Sequence, residues 1–194
     1  LEKAEEISRR SGGGFDVTVG PLVQLWRKAR KTAVLPDPAE IEAARKLVGW
    51  EKVHIDKRAK TVKLDVPGMR LDFGGIAKGY ADDEAQKVLK KFGINRALVE
   101  MGGDIVVSGP PPDTDGWLIQ VPNAGKDNAP VDMKFKNCAV SSSGDTVQFV
   151  IIGGKRYSHV VDPRTGQALT YRVQATIIAP NGLNSDPLSK VMTF

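Results

Sequence analysis

The stretch "LDFGGIAKGYADD", residues 71–83, decides how this chain is read. It continues an alternating run, with Met69, Leu71 and Phe73 on one face and Arg70 and Asp72 on the other, which predicts a strand. Gly74 and Gly75 end that run, Lys78 sits just ahead of a third glycine, Gly79, and a helix is expected over 76–92. Ala77, Ala81, Ala85, Val88, Leu89 and Phe92 share one face of it. Asp82, Asp83 and Glu84 crowd its start, Lys87, Lys90 and Lys91 its end, and Gly93 stops it, as the helix dipole favours. A cation between glycines at a strand-to-helix junction suits an anion, because free N–H groups and an ammonium hold phosphate and glycine lets backbone come close. The spacing matches neither the Walker phosphate loop nor the dinucleotide-binding fingerprint. A tight turn with a solvated lysine accounts for the pattern equally well.

Working outward, "LEKAEEISRRSGGG" reads as a helix with its glycine stop, and Pro21 suits the first turn of a second helix carrying Leu22, Leu25, Trp26 and Ala29 on one face. Asp37, Pro38 and Glu40 form a capping-box start for a third helix that Gly49 ends. "KVHID" and "TVKLD" flank "KRAK" as a hairpin, to which "MRLDF" adds a third strand. Beyond the central helix, "RALVEM", "DIVVSG", "WLIQV", "CAVSSS", "TVQFVII", "RYSHVVD" and "VQATIIA" read as short strands, with "GPPPDTDG" and "NAGKDNAP" as loops. Helices early and strands late predict an α+β fold with largely antiparallel sheet, as one domain over 1–194. Leu1 falls inside a helical pattern and "SDPLSKVMTF" stops just after a helix start, so both ends read as cut.

Composition narrows the function classes. Hydrophobic residues make up 41% and charged residues 26% of 194, ordinary for a globular chain. The net charge of +5 is scattered, without the basic blocks and interleaved aromatics of a nucleic-acid binder. One cysteine, Cys138, excludes an internal disulfide framework, and two histidines exclude a zinc site of the usual spacing. His54 stands mid-strand and reads as structural.

Three further stretches carry chemistry. "MGGDIVVSG" places Gly102, Gly103 and Asp104 at a strand junction that a hairpin turn explains by itself. "SSSGD", Ser141 to Asp145, offers hydroxyls but lacks the spacing of a hydrolase elbow. In "YSHVVDPRTG", His159, Asp162 and Arg164 gather a base, a carboxylate and a guanidinium within six residues, although Asp162 and Pro163 also suit a type I turn.

Taken together, "GGGFDVTVGPLVQLW", "LDFGGIAKGYADDEA", "ALVEMGGDIVVSG", "AVSSSGD", "YSHVVDPRTG" and "SDPLSK" resemble, in order and over nearly the whole chain, the FAD:protein FMN transferase (ApbE-type) family. The resemblance implies two lobes around a flavin cleft and an enzyme that moves FMN from FAD onto a threonine or serine of a target flavoprotein, releasing AMP. Hydrolysis of FAD to FMN and AMP, or FAD binding without catalysis, are the alternatives. It implies His159 as base, with Asp162 orienting it, and contacts to FAD from Asp72, Gly74, Gly75, Lys78, Gly79, Gly102, Gly103, Asp104, Ser143, Gly144, His159 and Arg164. It also implies magnesium near Ala77, Asp186 and Ser189, and a lipoprotein on the outer face of the cytoplasmic membrane or in the periplasm, held only by a lipid anchor preceding these residues.

Two departures stand out. The family's segment before the first helix, with a Met-Gly-Thr strand, has no counterpart here. The family's metal frame Asp-Ala-Leu-Ser/Ala-Thr reads Asp186, Pro187, Leu188, Ser189, Lys190, so a lysine stands where the second ligand belongs. With Ser185 as cap and Pro187 in the first turn, residues 186 and 190 lie one turn apart on the same face. Lys190 either turns away while Ser189 or water completes the sphere, or pairs with Asp186 in place of the ion, or leaves a dead site; pairing is favoured, since a charged lysine has no lone pair to donate.

Overall fold

The computed structural model describes residues 1–122, 129–144 and 148–194. Most of the loop expected over 123–130, Asp145, and the start of "TVQFVII" lie outside them. In chain order the helices are α1 (Glu2–Arg10), α2 (Gly20–Thr32), α3 (Pro38–Arg45), α4 (Ala77–Lys91) and α5 (Gly182–Val191), with a short 3-10 turn at Trp50–Lys52. The strands are β1 (Val53–Asp56), β2 (Thr61–Leu64), β3 (Leu98–Met101), β4 (Asp104–Val107), β5 (Trp117–Val121), β6 (Val131–Phe135), β7 (Cys138–Gly144), β8 (Phe149–Ile152), β9 (Lys155–Ser158) and β10 (Gln174–Ala179). The fold is α+β, with antiparallel pairing in β1/β2, β3/β4, β4/β7, β5/β6 and β8/β9. The chain divides into two compact units: Leu1–Phe73 with Gly144–Val173 and Phe194, and Gly74–Ser143 with Gln174–Thr193.

In the first unit, Leu22, Trp26 and Ala29 form the buried face of α2 that their spacing predicts, packed with Ile41 and Ala44 of α3 and with Val161 and Ala168. Trp26 stacks on Tyr157 at 5.5 Å between centroids, and its Nε1–H donates to the Gly166 carbonyl at 2.9 Å. Gly166 has φ +73° and a Cβ there would lie 2.9 Å from Ile41 Cγ2, so the turn admits only glycine. The capping box forms as read: Asp37 accepts from the Ala39 N–H at 2.7 Å, and Glu40 accepts from the Asp37 N–H at 3.1 Å. His54 is tied to Asp65 at 2.6 Å across the first hairpin.

Residues 69–73 do not form the third strand. Arg70 makes one isolated parallel bridge to Val19, and the Asp72 N–H donates to Val17 at 2.7 Å. Pairing stops because α2 begins at Gly20, whose Cβ would stand 2.6 Å from the Arg70 carbonyl oxygen.

In the second unit a four-stranded sheet runs in the order β10-β7-β4-β3, and β5 pairs with β6, a strand the sequence did not announce. Val107, Ile119, Phe135 and Val140 form its core. Gly102 and Gly103, at φ +57° and +92°, make the two-residue turn joining β3 to β4, a geometry that requires left-handed backbone at both positions. Helix α4 rests on β4 through Gln86, whose Nε2 donates to the Val106 carbonyl at 2.8 Å. The face that packs is not the apolar one: Gly79 and Asp82 are buried, whereas Val88 and Phe92 are exposed at 50% and 79%. The meeting of α4 with α5 sets that rotation. A Cβ on Gly79 would come within 2.1 Å of the Gly182 carbonyl oxygen, so the two backbones touch where neither side chain exists. Helix α5 also starts earlier than read, capped by the Asn181 side chain at 3.0 Å from the Asn184 N–H, which leaves Ser185 and Pro187 inside it.

Candidate functional site

Each unit carries its own set of the expected residues. In the second, Lys78 lies in the first turn of α4, after the turn made by Gly74 and Gly75. Its ammonium pairs with the Asp104 carboxylate and lies 3.3 Å from the Gly102 carbonyl oxygen. Asp104 is buried at 1% exposure while the Lys78 side chain keeps 35%, so the cation is held from below and reachable from above. Ile76 precedes α4 without a side-chain cap and the first turn has no acid of its own, but the Asp186 carboxylate from α5 accepts from the Gly79 N–H there. Lys78, Gly102 and Asp104 are therefore brought together. Gly79 does not join them. It is buried at the helix crossing, and its N–H donates to Asp186 Oδ2 at 3.1 Å. Ser143 is buried on β7, next to Gly144 at its end.

Asp82 and Asp83, read from the sequence only as acids at the start of the helix, lie beyond the first turn of α4. Asp83 accepts from the Gly182 and Leu183 N–H groups at 2.8 Å each and so satisfies the first turn of α5 from a residue about a hundred positions away. Asp82 lies between Lys78 and Gln86 at helical spacing, fully buried, with no hydrogen bond to either oxygen. Burial, followed by the charges of Asp104, Asp83 and Glu100 and opposed by Lys78, pushes its carboxyl up to about 7. The i, i+4, i+8 spacing of Lys78, Asp82 and Gln86 is the one sequence signal that would have found it.

Asp186 is fully buried on α5. Lys190, one turn on, pairs with its Oδ1 and stands 3.2 Å from Ser189 Oγ, while Oδ2 takes the Gly79 N–H. Ser189 Oγ–H in turn donates to the Asp186 carbonyl at 2.7 Å. This donor set does not fit the magnesium ion expected near Ala77, Asp186 and Ser189. A divalent ion needs several unengaged oxygens. Here both carboxylate oxygens are engaged, the serine hydroxyl points at a carbonyl, and the remaining member is a cation without a lone pair.

In the first unit, His159 follows β9. Its Nδ1 is 3.1 Å from the Gln148 carbonyl, which can only accept, so Nδ1 is the donor in that bond. Asp162, expected to orient this ring, instead holds Arg164: Nε and Nη2 donate to its two oxygens at 2.9 Å each, and the Arg164 N–H adds a third bond. That carboxylate raises the arginine further above its ordinary value. A backbone carbonyl thus contributes to the orientation of His159. Asp72 pairs with Arg27 at 3.0 Å.

Comparisons with known proteins bear on these sets. The model of the ApbE family matches residues 1–194. The chain is 32% identical over 193 residues to the FAD:protein FMN transferase of Salmonella typhimurium, covering 96% of this chain and 55% of that protein. It is likewise 32% identical to the FAD:protein FMN transferase of Chlamydia pneumoniae, covering 62% of it. Among solved structures, the ApbE protein of Thermotoga maritima superposes with a TM-score of 0.87 at 35% identity, over 98% of this chain and 62% of that one. The apo flavinyl transferase ApbE of Pseudomonas stutzeri gives 0.83 at 32%, over 98% and 60%. The chain thus spans between about half and two thirds of the length of these relatives.

Proposed function

From the premise that this chain belongs to the ApbE family, we propose that the protein is an FAD:protein FMN transferase acting on a threonine or serine of a partner flavoprotein. The observation that carries the reading is the match to relatives of that name over 96% of the chain. The acceptor hydroxyl oxygen bonds to the phosphorus of the FMN half of FAD. The anhydride bond breaks, and AMP leaves with the former bridging oxygen. On the family resemblance the hydroxyl proton passes to the His159 ring, whose Nδ1 donates to the Gln148 carbonyl. Lys78 offsets phosphate charge, and Asp104 with the Gly102 carbonyl fixes the ammonium. Arg164, braced by Asp162, is a second cation suited to an anionic group.

On the family resemblance we place the protein at the extracytoplasmic face of the membrane, held by a lipid anchor; no helix among the described residues is long and apolar enough to cross a membrane. Incubation of the full-length protein with FAD and a flavoprotein bearing a threonine acceptor should add one FMN mass to that threonine. FAD hydrolysed without an adduct points to a pyrophosphatase, and unaltered FAD with no binding refutes the reading.

A further inference from the structure

We infer that Lys190 is the resident cation of this site: its ammonium fills the place beside Asp186 that a divalent ion would need, so phosphate binding here is independent of magnesium. The inference rests on the proposed flavin chemistry for its ligand, but its structural basis is separate.

Asp186 is a fully buried carboxylate, and such a group requires a cationic partner or a dense set of donors. The structure supplies both from within the chain. Lys190 lies one helical turn on, at the spacing where side chains of α5 stack, and the Gly79 N–H arrives from α4. The Lys190 side chain is 18% exposed, so the pair has one open side. Among the described residues no cluster of three or more His, Cys, Asp or Glu gathers to hold an ion.

Charge decides the consequence. A divalent ion on Asp186 leaves a net +1 facing an incoming phosphate, whereas Lys190 on Asp186 leaves zero. An ion cannot be added to the pair, because it would meet an ammonium at contact distance and compete for an oxygen already engaged. Lys190 therefore keeps Asp186 neutralised at every magnesium concentration, at the cost of one positive charge toward the phosphate. Loss of the lysine charge together with restoration of an oxygen ligand should convert the site. Lys190→Thr leaves Asp186 Oδ1 and a hydroxyl one turn apart, facing the same space.

The test uses the full-length protein, with manganese as a spectroscopic stand-in for magnesium. Titration of Mn²⁺ followed by electron paramagnetic resonance needs no flavin. Wild-type protein and Lys190→Arg should take up no stoichiometric ion, whereas Lys190→Thr and Lys190→Ser should each gain one site that Asp186→Asn removes. FAD affinity, read by fluorescence quenching, should change less than about 2-fold between EDTA and magnesium for wild type, and by about 10-fold or more for Lys190→Thr. A stoichiometric ion on the wild type, lost in Asp186→Asn, overturns the inference. So does the absence of a site in both the Thr and Ser variants when their melting shows them folded. If neither folds, the wild-type and Lys190→Arg titrations still decide. Failure of FAD to bind any form, with the metal titrations as expected, would overturn the flavin reading and leave the lysine assignment standing.

Discussion

Asp82 gives the sharpest handle on the second unit. Its carboxyl is fully buried between Lys78 and Gln86 and accepts no hydrogen bond. Asp104 from β4, Glu100 from β3 and Asp83 on α4 act on it with like charge, and Lys78 opposes them. Its pKa rises from the ordinary 3.8 to about 7. In the unfolded chain the group loses its proton near the ordinary value, while the folded protein keeps it until about 7. Between those values the native state binds more protons, so stability falls as pH rises through this window and levels off above it. The rise is roughly 3 units, which at about 1.4 kcal/mol per unit sets a ceiling near 4 kcal/mol; relaxation and water entry should bring the observed loss to about 2–3 kcal/mol. Asp82→Asn removes the titration and keeps the shape. Urea unfolding at a series of pH values from 4 to 8.5 should show the wild type losing about 2–3 kcal/mol relative to the variant across the series. The buried amide adds an offset, but one that does not vary with pH. Parallel curves for the two proteins would refute the reasoning, because they would mean that Asp82 ionises alike in both states.

Trp26→Phe should destabilise the first unit by about 1–3 kcal/mol, since it removes the indole donor and leaves the Gly166 carbonyl unpaired in the core; unfolding followed by Tyr157-sensitive fluorescence and by circular dichroism checks this. Gly79→Ala should cost more than about 3 kcal/mol or prevent soluble folding, because its Cβ would sit 2.1 Å from the Gly182 carbonyl oxygen; a melting temperature within a degree or two of wild type would contradict that contact. His159→Ala should lower FMN transfer by about 10²–10⁴ while FAD affinity stays within a few-fold, with His159→Asn as the control that retains hydrogen bonding without a titrating proton; equal loss of binding and transfer would make His159 a contact residue instead.

The sequence by itself determined the local parts of this protein. Asp37 and Glu40 specify the start of α3, Gly102-Gly103 the turn between β3 and β4, and the 22, 26, 29 spacing the buried face of α2. Each depends on residues within a turn or two of one another, where capping, left-handed backbone and helical periodicity act. The interval between Asp186 and Lys190 was legible for the same reason, and the ion pair followed from it. Tertiary structure decided what rests on distant partners. The rotation of α4 follows from the Gly79–Gly182 contact and from the Gln86 bond to β4, which together override the apolar stripe of Ala77, Ala81 and Val88. Residues 69–73 lost their strand because their neighbour, 17–19, turns into α2 at Gly20. Asp162 turned to Arg164 and His159 to a backbone carbonyl, choices that no spacing encodes. Asp82 became a buried, proton-holding carboxyl only because Asp104 and Glu100 arrive beneath it from other strands, bringing charge that acts through space rather than along the chain.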